Sequence, residues 1–419
     1  MATFNVTDNG LLRVETYRSG PMVFQIGLDL DALEHFRVLA EHAYARFASI
    51  PRIPALTEDF EHFVMVSAIH STDTIEGGDL TAEQTSSVLD ADPATAQKEA
   101  EKRVVNLRTA YRLAEDYVAG LSDTQSRQAP AGQKKSSAVA LDEMMIRDLH
   151  GVITSNLSHK DNEPGQYRNN PKNRMTRVGS SDHGGIYTPP KCLDDIKLLM
   201  GAFIDWANSD PIISLPPLYR APLIHYYFER IHPFWDGNGR VGRVLEAIVL
   251  QSAGFRYAPY ALWRYYLDNL HAYFTLFNTC RLSEKKESHP NTGFVRFHLA
   301  AAINTINRLH DRANAIVAKY LFDSHVHHLS AQKKGLNHRQ YVILDRLSSH
   351  PDLGIDGRMA SQPWYNAIYK KLTPRTKMRD VKKLEDFGLI QRDKNGAIRI
   401  VYARPPIELA SSPLTTVSF

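Results

Sequence analysis

The chain has 419 residues, 43% of them apolar and 23% charged, with a net charge of +4. That length holds two or three domains with a sizeable core, and the balance is that of an ordinary globular protein rather than a disordered or fibrous one. So small a charge does not by itself point to a polyanion partner, and two cysteines, Cys192 and Cys280, are too few for a disulfide framework or a structural zinc site. No apolar run reaches the roughly 18 residues of a membrane span. The opening MATFNVTDNG lacks the basic and apolar segments of a secretory leader. No membrane contact is expected, and the expected location is cytoplasmic.

Residues 1–26 read as an irregular or short-stranded lead-in. Leu30 to Ala48 has apolar positions at helical spacing. EDFEHFVMVSAIHSTDTIEGGD predicts a helix stopping near Gly77 and Gly78, and another is expected after LTAEQ. Lys98 to Gly120 predicts a long amphipathic helix ended by its glycine. Residues 122–138 are small and polar and read as a surface loop, uncommon inside a compact domain. LDEMMIRDLHGVITSN is again helical in pattern, whereas Glu163 to Pro190 is rich in turn residues and reads as a long loop or hairpin. Helices are predicted at 191–208, 218–231, 240–253, about 262–282 and about 291–320. The tract 325–335, with His325, His327 and His328, reads as a linker, because that spacing fits no standard metal site. Residues 336–404 then read as three helices and two strands joined at Asn395-Gly396.

One stretch carries chemistry. FERIHPFWDGNGRVGR, Phe228 to Arg243, places a polar turn between two apolar helices. The N-terminus of the second helix presents unpaired N–H groups and a partial positive charge, a ready anion site. Gly237 and Gly239 let the backbone approach a phosphate closely. Arg240 and Arg243, three apart, share a helix face, and two guanidinium groups beside such a nest suit a di- or triphosphate. Asp236 is the turn's one carboxylate, of the kind that holds Mg²⁺ beside phosphates. His232 can take a proton from a hydroxyl. A plain helix–turn–helix join, with a capping residue and solvated arginines, needs neither a base nor paired arginines nor a double glycine.

HPFWDGNGR at 232–240, with Arg243 following, resembles the signature of the Fic family, His-Pro-Phe-x-Asp/Glu-Gly-Asn-Gly/Lys-Arg with a second arginine three residues on. The resemblance spans roughly residues 60–285 and includes a flap-like loop, GQYRNNP to IYTPP, with Val178, Gly179, Ile186 and Tyr187 as its candidate residues. It implies transfer of AMP from ATP to a hydroxyl of a target protein. His232 would be the base and Asp236 the Mg²⁺ ligand; Gly237, Asn238, Gly239, Arg240, Val241, Gly242 and Arg243 would hold the nucleotide. Phe234 would anchor the core. Tyr273 and Phe274 would line the adenine pocket, or are two core aromatics of a helix. HSTDTIEGG, with Thr72, Glu76 and Gly77, resembles the family's inhibitory helix. The resemblance implies that Glu76 pairs with Arg243, which cannot then also hold a γ-phosphate.

The fold class expected is mainly α: a Fic-type helical core with a short β-hairpin flap, and a C-terminal module that resembles a winged helix-turn-helix. The expected divisions are an N-terminal region 1–97 with the inhibitory helix, a core 98–324, a winged helix 336–405 and a tail 406–419. Arg375, Lys377, Arg379, Lys382 and Lys383 give the module a basic face for DNA, although Glu385, Asp386 and Asp393 dilute it and such modules also serve protein contacts. The function expected is a protein adenylyltransferase using ATP and Mg²⁺, acting on Ser, Thr or Tyr hydroxyls of target proteins and of itself, restrained by Glu76, and compatible with a homodimer. The rivals are an enzyme that removes AMP and a DNA-binding regulator whose core only senses nucleotide.

Overall fold

Helices dominate the computed structural model, which describes residues 4–50, 54–128, 139–171, 174–332, 335–349, 363–392 and 397–402. The chain divides into two compact units, residues 1–309 and 310–419. The first opens with an antiparallel pair, β1 (Leu12–Val14) and β2 (Met22–Phe24), in register Leu12↔Phe24. Alternate residues Leu12, Val14, Met22 and Phe24 are buried, the period of a strand with one covered face. Then come α1 (Leu30–Ala48), capped by the Asp29 carboxylate, α2 (Pro54–Ile75), α3 (Ala82–Asp90) and α4 (Glu99–Gln128). Thr81 and Gln84 form a capping box, so α3 starts inside LTAEQ rather than after it. α4 runs through Gly120 instead of ending there. The position opens to free space, and one glycine costs a long helix only about 1 kcal/mol. The expected loop is therefore helical up to Gln128, and its remainder, 129–138, lies outside the described residues.

After α5 (Glu143–Ile153), the loop carries the hairpin β3 (Val178–Ser180) and β4 (Gly185–Tyr187), in register Val178↔Tyr187. α6 (Leu193–Ala207) and the single turn α7 (Asp210–Ile213) lead to α8 (Pro217–Ile231) and α9 (Asn238–Ser252), which pack along each other at the centre. Both are buried nearly all round, α8 through Leu223, Ile224, Tyr227 and Phe228, α9 through Val241, Leu245, Ile248 and Leu250. That continuous apolarity marks a central helix rather than a surface one. α5 and α4 pack on α9, and α10 (Ala258–Asp268) packs on α2. The segment read as one helix over 262–282 is two, α10 and α11 (Leu270–Ser283), broken at Asn269.

α12 (Thr292–Ser330) continues through the histidine tract expected to be a linker. Phe322, Val326 and Leu329 are buried at helical spacing, while His325, His327 and His328 stay exposed. The second unit adds α13 (His338–Ser349), α14 (Pro363–Tyr369) and α15 (Pro374–Asp386), then β5 (Ile390–Arg392) paired antiparallel with β6 (Ile398–Ile400). Its core joins those three α12 residues to Ile343, Leu347, Val381, Leu384, Leu389 and Ile400. The Asn395-Gly396 turn and the expected tail lie outside the described residues. Among those described, no helix is long and apolar enough to cross a membrane.

Candidate active site

The turn between α8 and α9 is held by contacts from distant sequence. His232 caps α8 in the left-handed region, at φ 48°, a conformation costing an L-residue about 1–2 kcal/mol. Buried Arg168 meets that cost. Its Nε donates to the His232 carbonyl at 2.7 Å, its Nη2 to the Pro190 carbonyl at 2.8 Å, and its backbone N–H to the Pro233 carbonyl at 2.9 Å. Burial lowers the Arg168 guanidinium to about 10. Phe234 is fully buried with its ring stacked on His150 at 3.7 Å. His150 Nδ1 accepts from the Gly165 N–H at 2.9 Å, so Nε2 carries the proton and donates to the Asp236 carbonyl at 3.0 Å. Burial lowers this histidine to about 4, which keeps it neutral. Asn238 closes the turn with two bonds to the Phe234 backbone, each 2.9 Å. Gly237, at φ 81°, takes the left-handed position that starts α9.

This turn forms one wall of a cavity of about 330 Å³. His232, Asp236, Gly237, Asn238, Gly239 and Arg243 line it, facing Val178, Gly179 and Tyr187 of the hairpin, Tyr273 and Phe274 of α11, and Glu76. The turn, the hairpin, α11 and the end of α2 are thus brought together at the N-terminus of α9. Ile186 points outward, 54% exposed, and Val241 is buried inside the helix packing. Gly242 serves the α8–α9 contact, since a Cβ there would sit 2.8 Å from His225. Arg240 lies buried behind the wall, its Nη2 on the Asp236 carboxylate at 2.7 Å, its Nε and Nη1 without hydrogen-bond partners. Burial alone would raise the Asp236 carboxyl; the Arg240 charge outweighs it and holds the group below its usual range.

Among the described residues no three potential ligands cluster as a metal cage. Asp236 alone, a third exposed and on the cavity wall, suits an ion that takes one carboxylate together with phosphate oxygens and water, as Mg²⁺ does.

Arg243 is completely buried and fully engaged. Its Nη2 donates to Glu76 Oε1 at 2.6 Å and to the Thr72 carbonyl at 3.3 Å, its Nε to Thr72 Oγ1 at 2.5 Å, and its Nη1 to the Tyr273 hydroxyl at 3.3 Å. Burial would lower this guanidinium, but the Glu76 carboxylate and Tyr273 outweigh it and the value is raised. Glu76 lies just past the end of α2, where Gly77, at φ 85°, reverses the chain. Its carboxylate presses so close to the first turn of α9 that a Cβ on Gly239 would be 2.1 Å from Oε1. Behind Arg243, the Tyr273 hydroxyl meets His225 Nε2 at 3.1 Å, and His225 Nδ1 meets Glu246 at 2.7 Å, a buried polar chain.

A model of the Fic/DOC family matches residues 140–250, which hold this turn, α8, nearly all of α9 and the hairpin. These residues form a Fic/DOC family domain. The chain is 30% identical over 209 residues to a protein adenylyltransferase Fic of Nematostella vectensis, covering 49% of this chain and 41% of that protein. It is 32% identical over 182 residues to one of the same name from Drosophila willistoni, covering 43% and 31%. The chain therefore spans less than half the length of these curated relatives. A crystal structure of a Fic family protein from Desulfovibrio desulfuricans G20 matches with a TM-score of 0.52 at 18% identity, over 88% of this chain and 95% of that one, a likeness of fold.

Several residues that shape this cavity carry no sequence signal of their own. Arg168 and His150 act on backbone carbonyls, which no side-chain pattern records. Glu229 could have been found, because three residues before His232 on α8 it must share that helix face. Tyr273 joins the two readings the sequence left open: it reaches the cavity wall, yet its ring is buried and its hydroxyl belongs to Arg243.

Proposed function

We propose that the chain is a protein adenylyltransferase that moves AMP from ATP to a Ser, Thr or Tyr hydroxyl of a target protein, or of itself. One observation carries this reading: a histidine, the bare N-terminal turn of a helix and a buried arginine all border one cavity of about 330 Å³. His232 takes the proton of the acceptor hydroxyl; the freed oxygen bonds to the α-phosphorus, and the bond from that phosphorus to the bridging oxygen breaks, releasing pyrophosphate. The first turn of α9 presents its N–H groups to the phosphates, with Gly239 allowing close approach, and Arg243 is placed for the γ-phosphate. Asp236 would hold Mg²⁺, which neutralises phosphate charge when bound. Phe274 and Tyr273 also line the cavity, and in this reading they border the adenine ring.

Glu76 acts as an internal restraint in this reading. While it holds Arg243, the guanidinium is unavailable to a γ-phosphate, and its carboxylate lies against the helix turn that a phosphate needs. Labelled ATP incubated with the protein and a lysate, followed by mass spectrometry of modified peptides, tests the activity. Absence of AMP-bearing peptides with both the wild type and Glu76→Gly would overturn it. Loss of AMP removal from a pre-modified target in Glu76→Gly would instead favour the reverse reaction, with Glu76 as the base for water.

The second unit supports a separate contact. Arg375, Met378, Arg379 and Lys382 are exposed along one face of α15, while Asp380, Val381 and Leu384 are buried on the other. Lys377 lies over the Tyr365 and Tyr369 rings, and Lys383 donates to the Gly335 carbonyl, so these two belong to the unit's own packing. We assign the exposed cations to nucleic-acid phosphates. A mobility shift whose affinity falls steeply with salt is expected, and a salt-independent or absent shift would remove the assignment.

A further inference from the structure

Glu229 occupies the last turn of α8 and borders the same cavity as His232. Its Oε2 lies 3.3 Å from His232 Nδ1. That nitrogen is shielded from solvent and makes no hydrogen bond, and the same holds for Glu229 Oε1. Two buried polar atoms without partners in adjacent side chains are unusual. Here they belong to a carboxylate and an imidazole that a small rotation would join. Gly242 provides the room, because a Cβ there would come within 3.2 Å of Glu229 Oε1. The other titratable groups around the carboxylate are His225 on the same helix, Arg243 from α9 and Tyr273 from α11. Burial by itself would raise the Glu229 carboxyl; the contact with His232 outweighs it and the group is lowered, so it is ionised at neutral pH.

We propose that Glu229 is the positioning residue for His232: its carboxylate keeps the imidazole proton on Nδ1 and so aims the Nε2 lone pair at the acceptor hydroxyl. This rests on the transferase reading for its consequence, though not for its geometry. As the hydroxyl proton moves to Nε2, a positive charge develops on the ring next to a fixed negative one, which favours the step. Contacts of this kind tighten when substrate is bound, so 3.3 Å in the free protein is a suitable starting distance. A misdirected tautomer in a comparable dyad costs up to about 10⁴-fold in turnover. A carboxylate partly open to the cavity is expected to contribute less, about 10²-fold.

The test uses the full chain on the Glu76→Gly background, comparing it with Glu76→Gly/Glu229→Gln and Glu76→Gly/Glu229→Met. Both additions should lower kcat about 10²-fold while the KM for ATP moves less than about twofold, with unfolding midpoints close to the parent's. Independently, the ¹⁵N spectrum of the wild-type imidazoles, with His232 assigned by its absence in His232→Ala, should show the Nδ1-protonated form. That form should be lost in Glu229→Met. An unchanged kcat, an effect confined to KM, or a wild-type ring protonated on Nε2 would each overturn the proposal. If Glu76→Gly labels nothing, the transferase reading fails on its own, and the tautomer still decides the role of Glu229.

Discussion

Replacing Glu76 with glycine removes one side of the contact that occupies Arg243. The guanidinium would keep Thr72 Oγ1, the Thr72 carbonyl and the Tyr273 hydroxyl, so it is not left bare. What disappears is one charge-assisted hydrogen bond, worth about 1.5–3 kcal/mol when well shielded. The Glu76 side chain is 29% exposed, and water screens part of that value, leaving about 1–2 kcal/mol. If the contact sets the fraction of molecules whose Arg243 is free, the same energy corresponds to about a 5- to 30-fold rise in that fraction. Initial rates of self-labelling with labelled ATP should rise by a similar factor. The nucleotide-free protein should melt slightly lower, and ATP should raise its melting temperature more than in the wild type. Arg243→Ala should not share the gain, because it removes the phosphate ligand together with the restraint, and the double variant should behave like Arg243→Ala. A Glu76→Gly protein no faster than wild type, with an unchanged ATP-induced shift, would reduce Glu76 to a helix end. An Arg243→Ala protein as active as Glu76→Gly would show that the arginine does not serve the phosphate.

Other perturbations separate the remaining roles. His232→Ala should lower transfer by about 10²–10⁴-fold while ATP binding measured by calorimetry persists; near wild-type labelling would remove the base from this position. Asp236→Ala should abolish metal-dependent labelling, and EDTA should silence the wild type, whereas labelling that survives chelation would take the metal away from this carboxylate. Gly237→Ala should lower stability in urea by about 1–2 kcal/mol, since its φ of 81° strains any side chain and the new methyl would sit 3.0 Å from Thr154; an unchanged midpoint would show that the turn relaxes. His150 is held near 4 in the fold against an ordinary 6.5, so acidification protonates the unfolded chain first. Its contribution is complete above pH 6.5 and is lost as pH falls towards 4, up to about 3 kcal/mol. His150→Gln should flatten that part of the stability profile, and an equal slope in both proteins would refute the assignment.

How far the sequence could be read depends on the distance over which each feature is decided. The helix Leu30–Ala48 was legible to its ends because its apolar spacing and its Asp29 cap are local. The cavity wall at 232–243 was legible because one short segment contains most of it. Glu76 and Arg243 are 167 residues apart, and only a family resemblance could bring them together. Gly120 misled because a glycine ends a helix only when the backbone must reverse, and here nothing requires it. The histidines at 325–328 mask the buried spacing of Phe322, Val326 and Leu329, because the polar residues occupy the opposite face of the same helix. Arg168 and His150 stayed hidden for another reason: they hold the turn through its carbonyls, and every residue type offers a carbonyl.

If Glu76 restrains transfer as proposed, the missing side chain at Gly239 also shapes how that restraint would be lost. The restraining carboxylate and an incoming phosphate would lie against the same bare stretch of backbone, so a residue that shuts out one shuts out the other. In a screen for variants freed from restraint, residues 237–243 should therefore yield inactive proteins, and the gains should gather at the end of α2, from Thr72 to Gly78. On the proposed reading the restraint is dispensable from one side only, and a sequencing count of such variants would display that asymmetry directly.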